Sequence, residues 1–259
     1  MSLQENSNLP THAFCWIYSA LGVCKPGSGR IFMVYNRGRI TAAAPMAKIG
    51  SGYLSRLGLV GHGITDEVSG LIYRDTDSLD LLVKQLLETR EPLALNRFAA
   101  TDETIDMIKT IFRYKAYIRV IRSDLCPYVE LHSGWCEPES QLSSRRRSDL
   151  KRSYRRAEKL GGIDTQILTP GPDNVSQLLD RAFAIEANSW KGRRGSALSC
   201  NTLLGDFFRC YADEASKDGS LRIAILKIGG IDAAMQIACH YQNSYWIYTK
   251  QSRWLSNKC

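Results

Sequence analysis

From Ile231 the side chains alternate, with Ile231, Ala233, Met235, Ile237, Cys239 and Tyr241 at odd positions and Asp232, Ala234, Gln236, Ala238, His240 and Gln242 at even ones. A period of two is the pattern of a strand with one face buried and the other small or polar. Upstream, Leu221 to Ile228 is apolar apart from Arg222 and Lys227. Gly229-Gly230 then supplies the positive φ angles that a two-residue hairpin needs. Downstream, Asn243-Ser244 makes a second turn into Tyr245–Lys250. The spacing predicts three consecutive antiparallel strands.

Two helices are predicted before them. Val175, Leu178, Leu179, Ala182 and Phe183 recur at helical spacing after the Thr169-Pro-Gly-Pro-Asp173 start, and Leu203, Leu204, Phe207, Phe208, Tyr211 and Ala215 do so before Gly219. Between them, Asn188 to Ser196 is a polar loop with one large aromatic, Trp190.

The first half predicts a hairpin, with Ile31–Tyr35 and Arg39–Met46 joined by the turn Asn36-Arg37-Gly38. A Gly-rich run from Gly50 to Gly70 follows, then a helix near Ser78–Thr89, a strand over Pro92–Phe98, a helix after a Thr101 cap and a strand around Tyr128–Leu131. Strands alternating with helices indicate an α/β layered domain. The polar stretch Trp135–Ser144, containing Pro138, reads as a boundary, giving domains over 1–137 and 138–259.

At 259 residues and 44% hydrophobic, the chain suits one large or two modest domains with a sizeable core. No run approaches the ~20 apolar residues needed to cross a bilayer, and the N-terminus lacks a basic-then-apolar pattern, so a soluble cytoplasmic protein is expected. Eight cysteines form no Cys-x-x-Cys pair and no His lies at zinc-ligand spacing, so neither a metal site nor a disulfide framework is expected.

The net charge of +8 is local: residues 145–159 carry eight basic and two acidic side chains, leaving only +2 elsewhere. This segment is predicted to be a helix capped by Ser143 or Ser144, with Leu150, Tyr154 and Ala157 as a narrow apolar stripe. It reads either as a solvated helix linking two domains or as a binder of anions, such as cofactor phosphates or an acidic substrate. Nucleic acid is the least favoured partner, because its recognisable binding modules are absent.

The usual signatures of nucleotide hydrolysis, dinucleotide redox and zinc or serine hydrolysis are missing. The four histidines, His12, His62, His132 and His240, read as structural.

Five segments carry a family resemblance: Ser143-Ser-Arg-Arg-Arg-Ser-Asp-Leu-Lys-Arg, Asn188-Ser-Trp-Lys-Gly, Gly195-Ser-Ala-Leu, Phe207-Phe208 and Leu221-Arg-Ile-Ala-Ile-Leu. Together they resemble the CelD-like cellulose-biosynthesis acetyltransferases of the GNAT superfamily, relatives of the FemABX peptidyl transferases. The resemblance spans approximately Phe14 to Lys250 and is best after Ser143.

The resemblance implies an α/β fold of tandem GNAT-like units, with mixed, mainly antiparallel sheets, flanking helices and acetyl-CoA as the acyl donor. The loop between the two helices then approaches a small-molecule or saccharide acceptor with Trp190, Lys191 and Arg193. The fourth strand of the second unit splays from its neighbour in that fold, and its backbone at Trp246, Ile247, Tyr248 and Thr249 receives the pantetheine arm. Acyl transfer needs a base for the acceptor, a donor at the thioester carbonyl and an acid for the thiolate. A backbone N–H near Ile247 or Tyr248 is a candidate donor, Tyr248 a candidate acid and Glu186 a candidate base. The alternatives are an aromatic packed on a sheet for Tyr248, a solvated helix face for Glu186 and a loop anchor for Trp190. Family members continue into a helix that holds the CoA pyrophosphate, often beginning Ser-Pro-Gly. Gln251–Cys259 lacks that start, so a C-terminally truncated enzyme with impaired activity is expected.

Two function classes follow: an acyltransferase of envelope polysaccharide metabolism, and a non-catalytic protein holding a polyanion or partner with residues 145–159.

Overall fold

The computed structural model describes residues 7–99, 103–122, 126–200 and 202–252. It is an α/β architecture of two sheets with flanking helices, as expected.

The second sheet carries β6 (Ile163–Leu168), β7 (Leu221–Ile228), β8 (Ile231–Tyr241) and β9 (Ser244–Ser252), antiparallel and in that order. The predicted alternation becomes burial: Ala233, Met235, Ile237 and Cys239 of β8 lie in the core. Gly229 in the β7–β8 turn has φ +56°, and a Cβ there would stand 2.1 Å from the Leu160 carbonyl oxygen. Only glycine lets this hairpin seat against the end of helix α4 (Ser144–Lys159).

Helices α5 (Val175–Ala187) and α7 (Thr202–Lys217) cover the sheet with Leu179, Phe183, Phe207 and Tyr211. A third helix, α1 (Phe14–Gly22), comes from the start of the chain and packs on α7. Its Trp16 is 2% exposed and meets Phe207, Tyr211 and Tyr248 edge-on or tilted, at centroid distances of 4.8, 5.6 and 5.1 Å. The region expected as one domain over 1–137 therefore lends its first helix to the core of the other half.

The first sheet contains the predicted hairpin, β1 (Gly29–Asn36) with β2 (Arg39–Ile49), turning through Arg37 and Gly38 at φ +49° and +76°. β2 also pairs with β3 (Arg56–Leu59) and β4 (Ile72–Tyr73), and β3 runs parallel to β5 (Leu93–Ala94). Helix α2 (Thr76–Glu88), capped by the Asp75 carboxylate, buries Leu79, Leu82, Val83 and Leu86 against this sheet. Helix α3 (Glu103–Ile111) is present, while its predicted Thr101 cap lies outside the described residues, as do Arg253–Cys259.

Three expectations are corrected. The strand over Pro92–Phe98 contracts to two residues. No strand forms at Tyr128–Leu131, whose Tyr128, Val129 and Leu131 are exposed and have no sheet to bury them. The stripe on α4 is not a packing face, because Leu150 is 47% and Tyr154 57% exposed and only Ala157 is buried. The helix itself and its Ser143 cap on the Arg146 N–H are as expected. Helix α1 and strands β3, β4 and β6 were not anticipated.

No described helix is long and apolar enough to cross a membrane, and no group of His, Cys, Asp and Glu among the described residues is arranged to hold a metal.

Trp16→Ala is expected to cost about 3–5 kcal/mol, the usual penalty for removing a buried tryptophan. Urea denaturation followed by circular dichroism measures it; a loss below ~1 kcal/mol would show that α1 is not part of the cooperative core.

Candidate functional site

β9 is an edge strand, paired with β8 on one side and with no strand on the other among the described residues. The pairing passes from Ile237↔Thr249 to Ala238↔Ile247, so Tyr248 is the extra residue of a bulge. β9 stays paired with β8 from Ser244 to Ser252 and presents its other edge.

The four residues assigned to the cofactor all lie on β9. Ile247 is exposed, Trp246 and Thr249 are half-buried, and the Trp246 indole N–H is buried with no hydrogen-bond partner among the described residues. Tyr248 turns inward. Its hydroxyl lies 3.1 Å from that of Tyr211 and 2.9 Å from Cys239 Sγ, and its ring packs on Trp16, Phe208 and Tyr211. Burial drives both tyrosine hydroxyls well above their ordinary pKa and pushes the neighbouring Cys15 thiol up to about 12. The cluster is therefore protonated and neutral near pH 7.

The loop after α5 is held from within. Glu186 is fully buried, not on a solvated helix face. Its carboxylate accepts from Lys191 Nζ at 2.8 Å and from the Leu198 backbone N–H at 2.7 Å, tying both ends of the loop to α5. Gly192 closes the loop further, since a Cβ there would lie 1.8 Å from the Ala187 carbonyl oxygen. Lys191 is thus engaged with Glu186, whereas Trp190 begins the short helix α6 (Trp190–Arg193) and remains 43% exposed. With the Gln251 amide turned to face its donors, its oxygen accepts from Trp190 Nε1 at 2.9 Å and Ser189 Oγ at 3.2 Å. The ring has Arg194 stacked 5.2 Å from its centroid. Trp190 is therefore fastened to β9 by its nitrogen while part of its surface stays exposed. Arg193 lies exposed on the same turn.

A cleft of about 570 Å³ that sequence reasoning missed opens between the Gly61–Ser69 loop, β5 with the residues after it, and the 119–122 segment. Trp16 lines it and also touches Tyr248, so the cleft adjoins the aromatic cluster. Glu67 lies in this cleft, where burial lifts its carboxyl from 4.5 to about 7 against the lowering effect of Arg97. Its charge reaches Cys239 on β8. His62 has its Nδ1 2.7 Å from the Asn96 amide, and burial together with Arg56 lowers its pKa, keeping the ring neutral. No motif surrounds Glu67 in the sequence; the only hint was the Gly-rich run that folds back around it.

Glu186→Ala is expected to cost roughly 3 kcal/mol, because it strands a lysine and a buried amide, and to speed tryptic cleavage after Arg193 and Arg194. Unchanged stability and proteolysis would show that the carboxylate does not pin the loop. Glu67 sets a pH dependence. Between about pH 4.5 and 7 the unfolded chain releases a proton that the folded chain keeps, so stability falls as pH rises through that window and then levels. Glu67→Gln is expected to flatten this slope in a denaturation series across pH.

Residues 144–250, from α4 to β9, match the family model described as an acetyltransferase (GNAT) domain. Among solved structures, a conserved protein of unknown function from Bacteroides thetaiotaomicron VPI-5482 is similar at a TM-score of 0.56 and 11% identity, over 95% of this chain and 73% of that one. FemX is similar at a TM-score of 0.49 and 13% identity, over 87% of this chain and 55% of FemX. No curated protein matches the sequence. The matched segment thus runs from α4 to β9, the edge strand of the second sheet.

Proposed function

We propose that the chain is an acyl-CoA-dependent acyltransferase that moves an acetyl group from acetyl-CoA to an amine or hydroxyl of a small or saccharide acceptor, in cytoplasmic steps of envelope polysaccharide metabolism. The observation that carries this reading is the open edge of β9 within the segment matching the acetyltransferase domain. An unpaired strand edge offers alternating N–H and C=O groups, and the amides of a pantetheine arm are their chemical complement. Residues Trp246–Thr249 fit that group and would hold it; when bound, it supplies the activated thioester.

The surrounding residues take parts that agree with their geometry. A backbone N–H at the Tyr248 bulge would donate to the thioester oxygen, since bulges re-aim backbone groups beside reaction sites. The Tyr248 hydroxyl, kept protonated by burial and held by Tyr211 and Cys239, supports the bulge from the core side instead of serving as the acid. Glu186 and Lys191 hold the loop, and Trp190 and Arg193 face the acceptor from it. Glu186 acts here as a positioning residue instead of a base, because both its oxygens are occupied.

Calorimetric titration with CoA is expected to give a dissociation constant on the order of micromolar, about −8 kcal/mol. Absence of binding at ~1 mM CoA would overturn the reading. Trp190→Ala is expected to lower isotopic acetyl transfer to an amino-sugar panel roughly tenfold while leaving CoA affinity within about twofold.

One observation favours a second reading, in which α4 holds a polyanion: among its side chains only Ala157 is buried, so its basic residues, apart from the half-buried Arg147, face solvent. Under that reading the triple variant R152A/R155A/R156A loses salt-sensitive binding to heparin; under the first it keeps its CoA affinity and acetyl transfer.

A further inference from the structure

Resting on the acyltransfer reading, we propose that the cleft at the junction of the two halves is the acceptor site, in which Glu67 takes the proton from an amine or hydroxyl on a molecule whose anionic group is held by Arg56, Arg119 and Arg122. Three observations converge. The cleft adjoins, through Trp16, the Tyr248 bulge of the strand assigned to the thioester. Its charged lining carries both signs. Asp66 pairs with Arg97 at 2.6 Å next to Glu67 in the chain, and Arg56, Arg119 and Arg122 bring further positive charge to a cleft that also holds the neutral His62. A molecule carrying both an ammonium or hydroxyl and a phosphate or carboxylate matches that mixed lining. Finally, Glu67 is an inward carboxylate for which the fold supplies no hydrogen-bonded ion-pair role among the described contacts, and its raised pKa near 7 suits a base working at neutral pH.

The chemistry balances with an acyl-CoA as the only co-reactant. An acceptor bound as an ammonium first gives one proton to solvent. The lone pair of the neutral amine or hydroxyl then forms the bond to the acyl carbon while its N–H or O–H bond breaks and that proton passes to the Glu67 carboxylate. The C–S bond breaks with its electron pair on the CoA sulfur, which takes up the proton that Glu67 received.

Calorimetry with O-phosphoethanolamine, β-alanine and ethanolamine as probes tests this without turnover. The first two separate phosphate from carboxylate recognition, and ethanolamine lacks an anionic end. At least one anionic probe is expected to bind at least tenfold more tightly than ethanolamine, and R119A/R122A is expected to erase that advantage. An ammonium placed beside Glu67 favours its ionised form. Repeating the titration at pH 6.5 in buffers of different ionisation enthalpy is therefore expected to reveal release of about half a proton, lost in E67Q and retained in E67D. Failure of both anionic probes to outbind ethanolamine, equal binding by R119A/R122A, or the same proton release from E67Q would overturn the proposal. CoA titrated in parallel keeps the two readings apart. A chain that binds CoA but no probe retains the acyltransfer reading and loses the acceptor cleft, and one that binds a probe but no CoA loses the base role with the acyltransfer reading.

Discussion

The packing of Trp16 against Phe207, Tyr211 and Tyr248 is the contact on which the rest of the arrangement depends. A tryptophan buries more apolar surface than any other side chain, and here it comes from α1 while its partners come from α7 and β9, about 190 to 230 positions on. Because the contact joins sequence-distant elements, the Gly61–Ser69 loop is carried along: a Cβ on Gly61 would sit 3.4 Å from the Trp16 indole nitrogen. One side chain thereby sets the distance between the cleft and the β9 bulge. Dense interiors transmit such constraints because they have no slack to absorb a shift.

A second constraint is electrostatic. Burying a carboxylate is costly unless its oxygens are satisfied, and Glu186 meets this with an ammonium and a backbone amide. The direction of cause runs from the buried charge to the loop, since the loop must return to Leu198 to supply the amide. Trp190 is therefore presented at a fixed place between α5 and β9, although its helix α6 is too short to hold itself.

How much was legible in the sequence follows from how local each determinant is. The β7–β8–β9 meander was legible because alternation and paired turn residues act over a few positions, and α4, α5 and α7 because caps and helical spacing do the same. Helix α1 was not, since Phe14-Cys-Trp-Ile-Tyr-Ser-Ala-Leu is apolar on most sides and its periodicity is masked. The strand expected at Tyr128–Leu131 shows the opposite error, β-forming residues with no neighbour to pair with. At the site, Trp190 was visible as an aromatic in a polar loop. Glu186 was visible only as a helix residue, and its burial depends on Leu198, twelve positions on. Glu67 had no local signature, because its environment is assembled from four separated segments.

The open edge of β9 has a bearing on how the protein behaves at high concentration. Among the described residues no strand pairs with this edge, and a row of unpaired backbone groups accepts any extended chain, so the hydrogen bonds that suit a bound arm equally suit a strand from another molecule. Ligand occupancy and self-association then compete for the same edge, and the bulge at Tyr248 disfavours the rival, since an irregular edge is a poor template for a regular strand. Colloidal stability and ligand recognition are in this way two readings of one irregularity in the backbone.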